Sequence, residues 1–529
     1  MARAVLGITV AAVAAALVGP PPTATAAEHA GPVDGPRTTV DSIKVEPTAK
    51  RQVGGVVADL EPTRTDPYAM VAVTWKAAPR ASGQHQVEVE VRTHEDNGWS
   101  RWRHLESDAD GPSGGPTEGT IPLWVGSADG VAVRVSTNRG AAPRDVRVLT
   151  IDPAGPTADA RGAGLPSAGG PMGKPPRFPG QPPVISRKRW GADPSLGDTC
   201  FKPIYGRTTK AAIVHHTVGT NEYRRSDSVG IVQGILAYHT QGRDWCDIGY
   251  NFLVDRFGRV FEGRAGGIRK PVRGAHAGDF NTNTVGVSMM GDFDNTGLPR
   301  RLKNAMVRLI GWRLGTNYVN PRGTTRMEGS RIDRISGHRD VMSTACPGLH
   351  GYRWLPRLRT RVNHYLSRFD SRIEAKRNKV GFKTIGAVFN GERQIGGGRR
   401  TMFKRAAVYW SKRSGAHFIP RGSMLRGYWK RGGATGPLGY PRGDYVETER
   451  TGVHRLNTEH GRLFRNRGGK VHALRGRIEL AYIRRGGVTG RLGPPRTDST
   501  HKRNVASARF AHGQLRYDKR TNKVTVKFW

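Results

Sequence analysis

Residues 154–183 read AGPTADARGAGLPSAGGPMGKPPRFPGQPP, and no core can be built from them. Proline withholds backbone donors, glycine loses the most conformational freedom on ordering, and the stretch has no apolar period of either 2 or 3.6. It predicts a linker, and it divides a chain of 529 residues into parts that must each bury a core of their own. At about 150 residues per domain, this length calls for several.

On the N-terminal side, Arg3 precedes an apolar run from Ala4 to Val18, and Ala24-Thr25-Ala26 forms a small-x-small cleavage site. This pattern predicts a secretory signal peptide over residues 1–26, because the run is too short to span a bilayer. No later stretch reaches the ~18 continuous apolar residues of a membrane helix, so the mature chain is expected to be exported and to lack a transmembrane segment. Residues 27–64, rich in Pro, Thr and charge, are expected to be flexible. Beyond them MVAVTW (Met70–Trp75), QVEVEVRT (Gln86–Thr93), VAVRV (Val131–Val135) and DVRVLTID (Asp145–Asp152) alternate apolar and polar residues between turn clusters. They predict an all-β, sandwich-like domain over residues 65–153.

After the linker the pattern changes. KAAIV (Lys210–Val214) is a continuous apolar run, as in a strand buried on both faces. Ser226 or Asp227 can cap a helix in which Val232, Ile235, Leu236 and His239 share one face. IGYNFLVDRFGRVFEG predicts a hairpin turning near Gly258, TVGVSMMGDF a further strand, and LPRRLKNAMVRLIGWRL a further helix. Strands mixed with helices predict a three-layer α/β domain over residues 184–372, with helices flanking a mixed sheet.

The tail repeats itself. RGYWKRGGATGPLGYP (Arg426–Pro441) recurs 54 residues later as LAYIRRGGVTGRLGPP (Leu480–Pro495), with fainter copies near TIGAVF and GQLRYD. Tandem units of this kind predict a stacked, β-rich repeat domain over residues 381–529 that offers an extended binding surface. The whole chain carries a formal charge of +42, and residues 381–529 hold 33 Lys+Arg against 8 Asp+Glu, or 33 − 8 = +25. For an exported protein the anions within reach are envelope polymers, so these, and not nucleic acid, are the expected partners of the tail.

Three cysteines leave one over in an oxidising compartment. Cys200 and Cys246 lie in loop-like surroundings and can pair, which would leave Cys346 spare. A bound metal protects such a thiol, and Zn²⁺ takes thiolate and imidazole together. VHHT (Val214–Thr217) ends the buried strand with His215 and His216 on opposite faces, so that one can reach a metal. His338 stands eight positions before Cys346 in the Gly- and Pro-punctuated loop SGHRDVMSTACPG. Two imidazoles and a thiolate leave the fourth tetrahedral position open, as in catalytic zinc sites.

The motifs ISRKRWGAD, AAIVHHT, WCDIGYNFLVD, GRVFEGR, GAHAGDFNTNTVGV and GHRDVMSTACPG occur in the order found in the peptidoglycan recognition protein family. That family includes zinc-dependent N-acetylmuramoyl-L-alanine amidases of bacteria and phage, and the resemblance spans residues 184–370. It implies that His215, His338 and Cys346 hold one Zn²⁺ and that Tyr250 is the catalytic tyrosine. Thr344 matches a position occupied by Lys in the phage enzymes and Thr in many animal relatives. His216, Thr217, His239, Arg243, His276 and Asn281 match positions that contact the muramyl peptide. Trp245 matches the second residue of a Gly-Trp pair linked to diaminopimelate stems, although Asp244 here replaces the glycine. GPLGYP and GRLGPP resemble the LGFP repeats that accompany such amidases in actinobacteria and bind the envelope. The implied function is a secreted, wall-associated hydrolase that cuts the amide between N-acetylmuramic acid and L-alanine of peptidoglycan. A non-catalytic peptidoglycan-binding protein with a structural zinc is the alternative.

Overall fold

The computed structural model describes residues 37–48, 55–76, 87–107, 117–137, 142–155, 166–168, 179–196 and 202–529. The expected signal peptide and Cys200 lie outside the described residues, and so does most of the linker.

The N-terminal domain is all β. Its strands are β1 (Thr39–Lys44), β2 (Glu46–Pro47), β3 (Val56–Lys76), β4 (Val87–Glu95), β5 (Gly98–Trp99), β6 (Arg103–Leu105), β7 (Thr117–Gly119), β8 (Leu123–Thr137) and β9 (Arg144–Asp152). They belong to one hydrogen-bonded network ordered β1-β9-β3-β8-β4-β5, with β2 and β7 pairing β3 and β6 pairing β4. The domain starts earlier than its alternation implied. Residues 39–44 and 56–64, expected to be flexible, are strand. β1 pairs antiparallel with β9 from Thr39↔Asp152 to Lys44↔Arg147, so partner strands supply the order that the local sequence does not advertise.

The central domain holds a five-stranded sheet ordered β12-β11-β13-β10-β16. These strands are β10 (Ala211–His216), β11 (Phe252–Val254), β12 (Val260–Glu262), β13 (Thr284–Met289) and β16 (Ile335–Gly337), with a separate hairpin of β14 (Thr324–Met327) and β15 (Ser330–Asp333). β10 runs parallel to both β13 and β16, and all six of its residues are buried. The β11–β12 hairpin turns through Gly258, whose φ of 79° suits a residue without Cβ.

Helices cover both faces. After the short α1 (Arg187–Trp190) come α2 (Ser228–Ala237), α3 (Arg300–Gly315) and α4 (Leu349–Leu366). Leu302, Met306, Leu309 and Ile310 of α3 and Leu355, Leu358 and Val362 of α4 pack on one face of the sheet. Each such side chain contributes about 1.5–3 kcal/mol when fully buried. Val232, Ile235 and Leu236 of α2 pack on the other face with Trp190, and Met70, Leu149 and Ile151 of the N-terminal domain join that cluster. Glycine makes this seating possible: a Cβ at Gly230 would meet the Trp124 ring, and one at Gly234 would meet the Met70 sulfur. The linker is not wholly outside the packing either. Ala168 is buried, and its amide donates to the Gly258 carbonyl at 2.8 Å.

The tail is three units, each a helical segment with a four-stranded antiparallel sheet. α5 (Arg372–Val380) and α6 (Phe382–Ile385) precede β17 (Val388–Ile395), β18 (Gly398–Phe403), β19 (Ala406–Ser411) and β20 (Gly415–Pro420). α7 (Ser423–Lys430) precedes β21 (Val446–Glu447), β22 (His454–Thr458), β23 (Gly461–Arg465) and β24 (Val471–Leu474). α8 (Gly476–Arg484) precedes β25 (Thr500–His501), β26 (Val505–Phe510), β27 (Gly513–Asp518) and β28 (Lys523–Phe528). The repeat is physical as well as textual. Tyr428 donates to the Gly439 carbonyl at 2.7 Å, and Tyr482 to the Gly493 carbonyl at 2.9 Å. Among the described residues, no helix is long and apolar enough to cross a membrane.

Candidate metal centre and groove

The parallel strands β10 and β16 end side by side, with Val214 opposite Gly337. Their carboxyl ends therefore deliver His215 and His338 to one place, the usual position for sites in sheets of this kind. The two imidazole rings are 4.5 Å apart. Cys346 arrives from the loop after β16, its Sγ 3.8 Å from His215 Nδ1 and accepting from the His216 amide at 3.4 Å. Donor atoms of His215, His338 and Cys346 all lie within 4.8 Å of one another, and all three residues are buried. A thiol and two imidazoles converging at this spacing fit Zn²⁺, and the donor set is one that this ion favours over Mg²⁺ or Ca²⁺. Cys346 forms no disulfide. The expected Cys200–Cys246 pairing involves Cys200, which is outside the described residues.

His276 stands behind His215, not along an open surface. Its Nδ1 is 3.0 Å from His215 Nε2, and it is fully buried. A proton on His215 Nε2 leaves Nδ1 free to coordinate, so this bond selects the ligand tautomer. His276 is itself held on both sides. Its amide donates to Asn281 Oδ1 at 2.7 Å, and a Cβ at either Gly274 or Gly286 would overlap its ring. Asn281 thus shapes the loop: Oδ1 also accepts from the Ala277 amide, and Nδ2 donates to the Gly278 carbonyl at 2.5 Å.

Tyr250 lies beside the cluster, its ring 5.2 Å from that of His215 and 5.9 Å from that of His239. Thr344 Oγ1 accepts from the Cys346 amide at 3.2 Å and so braces the thiol loop. Thr217 is buried, and its Oγ1 accepts from the Gly291 amide at 2.9 Å, tying β10 to the turn after β13.

His239 does not continue the α2 face on which its spacing set it. The α-helix stops at Ala237, and residues Tyr238–Gly242 form a π-helical turn. One extra residue per turn rotates His239 away from Ile235 and Leu236. Its ring packs on Trp245 at 4.4 Å, its Nδ1 accepts from the Gly249 amide, and Arg243 lies over the other aromatic at 5.1 Å. The proposed caps of α2 also act differently, because Asp227 Oδ2 accepts from the Arg224 amide at 2.7 Å and makes no bond to the first turn.

The N-terminal domain reaches these buried side chains, which no local pattern announced. Tyr238 donates to the Thr120 carbonyl, Arg243 Nε donates to the Thr117 carbonyl at 3.2 Å, and Thr117 Oγ1 donates to Asp244 at 2.7 Å. Glu106 joins His216 and Asp294, with donor atoms within 4.8 Å of one another. His216 Nδ1 accepts from the Phe293 amide at 3.3 Å and sits 3.9 Å from Asp292, whose carboxyl is pushed up by burial.

With this geometry in view, comparisons place the chain among known proteins. It matches the N-acetylmuramoyl-L-alanine amidase family over residues 205–349, the Rv3811 N-terminal galactose-binding domain-like family over 23–159, and the LGFP repeat over 385–436. It is 32% identical over 167 residues to peptidoglycan-recognition protein SC1a/b of Drosophila simulans, covering 32% of this chain and 80% of that protein. It is 30% identical over 166 residues to peptidoglycan recognition protein 1 of Bos indicus, covering 31% of this chain and 78% of that one. Among solved structures, wild-type Drosophila PGRP-LB is 26% identical, with 32% of this chain and 90% of that chain covered and a TM-score of 0.27.

Proposed function

The chain belongs to the peptidoglycan recognition protein and N-acetylmuramoyl-L-alanine amidase family, with LGFP repeats in its C-terminal part, and from that premise we propose that it is a zinc-dependent amidase. Its substrate is the bond between the lactyl group of N-acetylmuramic acid and L-alanine of the peptidoglycan stem. The observation that carries this reading is the convergence of His215, His338 and Cys346 beside Tyr250.

When bound, Zn²⁺ supplies a polarised carbonyl and a water whose pKa falls from ~15.7 towards ~7. The chain's own residues do the rest. His215 and His338 present neutral imidazoles, and Cys346 presents a thiolate. His276 fixes the His215 ring, and Thr344 fixes the loop that carries the thiol. The Tyr250 hydroxyl donates to the oxyanion that develops on the scissile carbonyl, a role for which a well-placed donor contributes about 2.7–4 kcal/mol. His239, Trp245, Arg243, His216 and Thr217 are assigned to the stem peptide by the resemblance, and His239 and Arg243 both pack on Trp245. Cys246 is disulfide-bonded, and Cys200 is the partner that the pairing of the two requires. The protein is exported, and its basic repeats hold it on anionic envelope polymers, which keeps substrate locally concentrated.

Mass spectrometry of peptidoglycan digested with and without a chelator tests the reading. Free stem peptides with an unmodified L-alanine amino terminus are expected only without chelator. Tight muropeptide binding with no stem release would leave a recognition protein in place of an enzyme.

A further inference from the structure

A cavity that shares no lining residue with the metal cluster lies where the central domain meets the first repeat unit. It encloses about 160 Å³ between the loop around Arg269, the C-terminal end of α3 and strand β17. Its chemistry is unbalanced. Arg269, Lys270, Arg313 and Arg393 line it, and Glu392 is the one carboxylate among the lining residues. Glu392 is already engaged on its far side, accepting from Tyr318 and Ser371 and lying 3.0 Å from Arg399.

Arg313 is 4% exposed. Its Nη1 donates to the Ile268 carbonyl at 3.1 Å, and its Nη2 to Thr209 Oγ1 at 3.1 Å and the Lys270 carbonyl at 3.2 Å. All three acceptors are neutral, and Nε has no partner among the described residues. Burial pushes the guanidinium down to about 10. A buried cation without a counter-charge is costly unless an anion arrives to share the site.

At the mouth, Arg269 comes from the central domain and Arg393 from β17. Burial first, then the neighbouring Arg400 and Arg269, holds Arg393 below the usual arginine range. Two domains thus bring like charges together, and the one lining carboxylate, Glu392, is held by Tyr318, Ser371 and Arg399. Around the cations the lining changes character: Phe389 is 43% exposed, and Asn390 and Gln394 offer amide donors and acceptors. Flat aromatic faces and amides suit a sugar ring, and clustered guanidinium groups suit a phosphate.

We propose that this junction is a binding site for a phosphate-bearing saccharide, with the oxyanion among Arg269, Arg393 and Arg313 and the sugar against Phe389. The site is independent of whether the central cluster hydrolyses an amide. Because it is built from two domains, occupancy also couples the first repeat unit to the central domain.

Calorimetric titration of the full chain with glucose 1-phosphate, inorganic phosphate and glucose, at low salt, tests it. Glucose 1-phosphate is expected to bind saturably and more tightly than phosphate, and glucose not to bind. The double variant Arg269→Gln/Arg393→Gln is expected to lose at least tenfold in affinity. A control double variant at the exposed Arg503 and Arg520 keeps it. No saturable binding by the unaltered chain, equal losses in both variants, or glucose binding as well as its phosphate would each overturn the proposal.

Discussion

His276 Nδ1 lies 3.0 Å from Nε2 of His215, 61 positions earlier in the chain. The bond sets which nitrogen of His215 carries its proton, and so which one faces His338 and Cys346. Replacing His276 by Phe keeps a ring in the cradle but removes the acceptor. Zinc affinity is expected to fall about 10–100-fold, as when partners behind a metal ligand are lost. Competition against a chromophoric chelator measures it, and an unchanged dissociation constant would remove the positioning role.

Cys346→Ala removes the thiol of the cluster and leaves its two imidazoles. The variant is expected to fold and to carry well under one zinc per chain by elemental analysis. Stoichiometric metal in the purified variant contradicts the ligand set.

Tyr250→Phe leaves the donors to the metal untouched. Zinc content should match that of the unaltered chain, while hydrolysis of soluble muropeptide slows on the order of 10²–10³-fold. A rate within twofold of normal would show that the hydroxyl does not meet the oxyanion.

Gly286→Ala is a test of the cradle. Alanine ordinarily suits a strand better than glycine, but here its Cβ would enter the His276 ring. Overpacking of this kind costs about 1–3 kcal/mol, so the melting temperature should fall and zinc should bind more weakly. A variant as stable as the original would mean that the ring can move aside freely.

Asp444 and Asp498 occupy the same place in successive repeat units, 54 residues apart. In each, burial raises the carboxyl but hydrogen bonds outweigh it: His417, Lys376 and the Phe418 amide for Asp444, Arg431 and the Ala473 amide for Asp498. Both are therefore held below the ordinary carboxylate value of about 3.9. A depressed folded value contributes stability that is fully present above the unfolded one and is lost as pH falls through the folded one. Calorimetry should find the tail's melting temperature level down to about pH 5 and falling below about pH 4. Asp444→Asn/Asp498→Asn should lower it at pH 7 and flatten the acid limb; an unaltered limb counts against these two groups.

Much of this molecule is local physics, and that part was legible in the residues. A continuous apolar run marked β10 as buried on both faces. Gly258 marked the hairpin because its φ of 79° disfavours a Cβ. Gly432 and Gly486 share a φ of 84°, so the 54-residue repeat reflects one backbone reused. The spacing of His338 and Cys346 carries little by itself; the spare thiol and the order of the surrounding motifs are what pointed to a metal. What local pattern could not carry was anything supplied by a distant segment. Residues 39–44 and 56–64 lack clear alternation, yet they are strand because β9 and β8 give their amides partners. Helical spacing carried His239 onto the α2 face, and a π turn removed it.

The sequence by itself determined most element types, the repeat and which side chains could serve as metal donors, since these rest on short stretches of chain. Only the tertiary structure decided that His276 stands behind His215, that Glu106 and Thr117 reach His216 and Asp244 from another domain, and that Arg269 and Arg393 line one junction. Those relations depend on how separately folded surfaces pack, and contacts between residues tens to hundreds of positions apart leave no period in the chain.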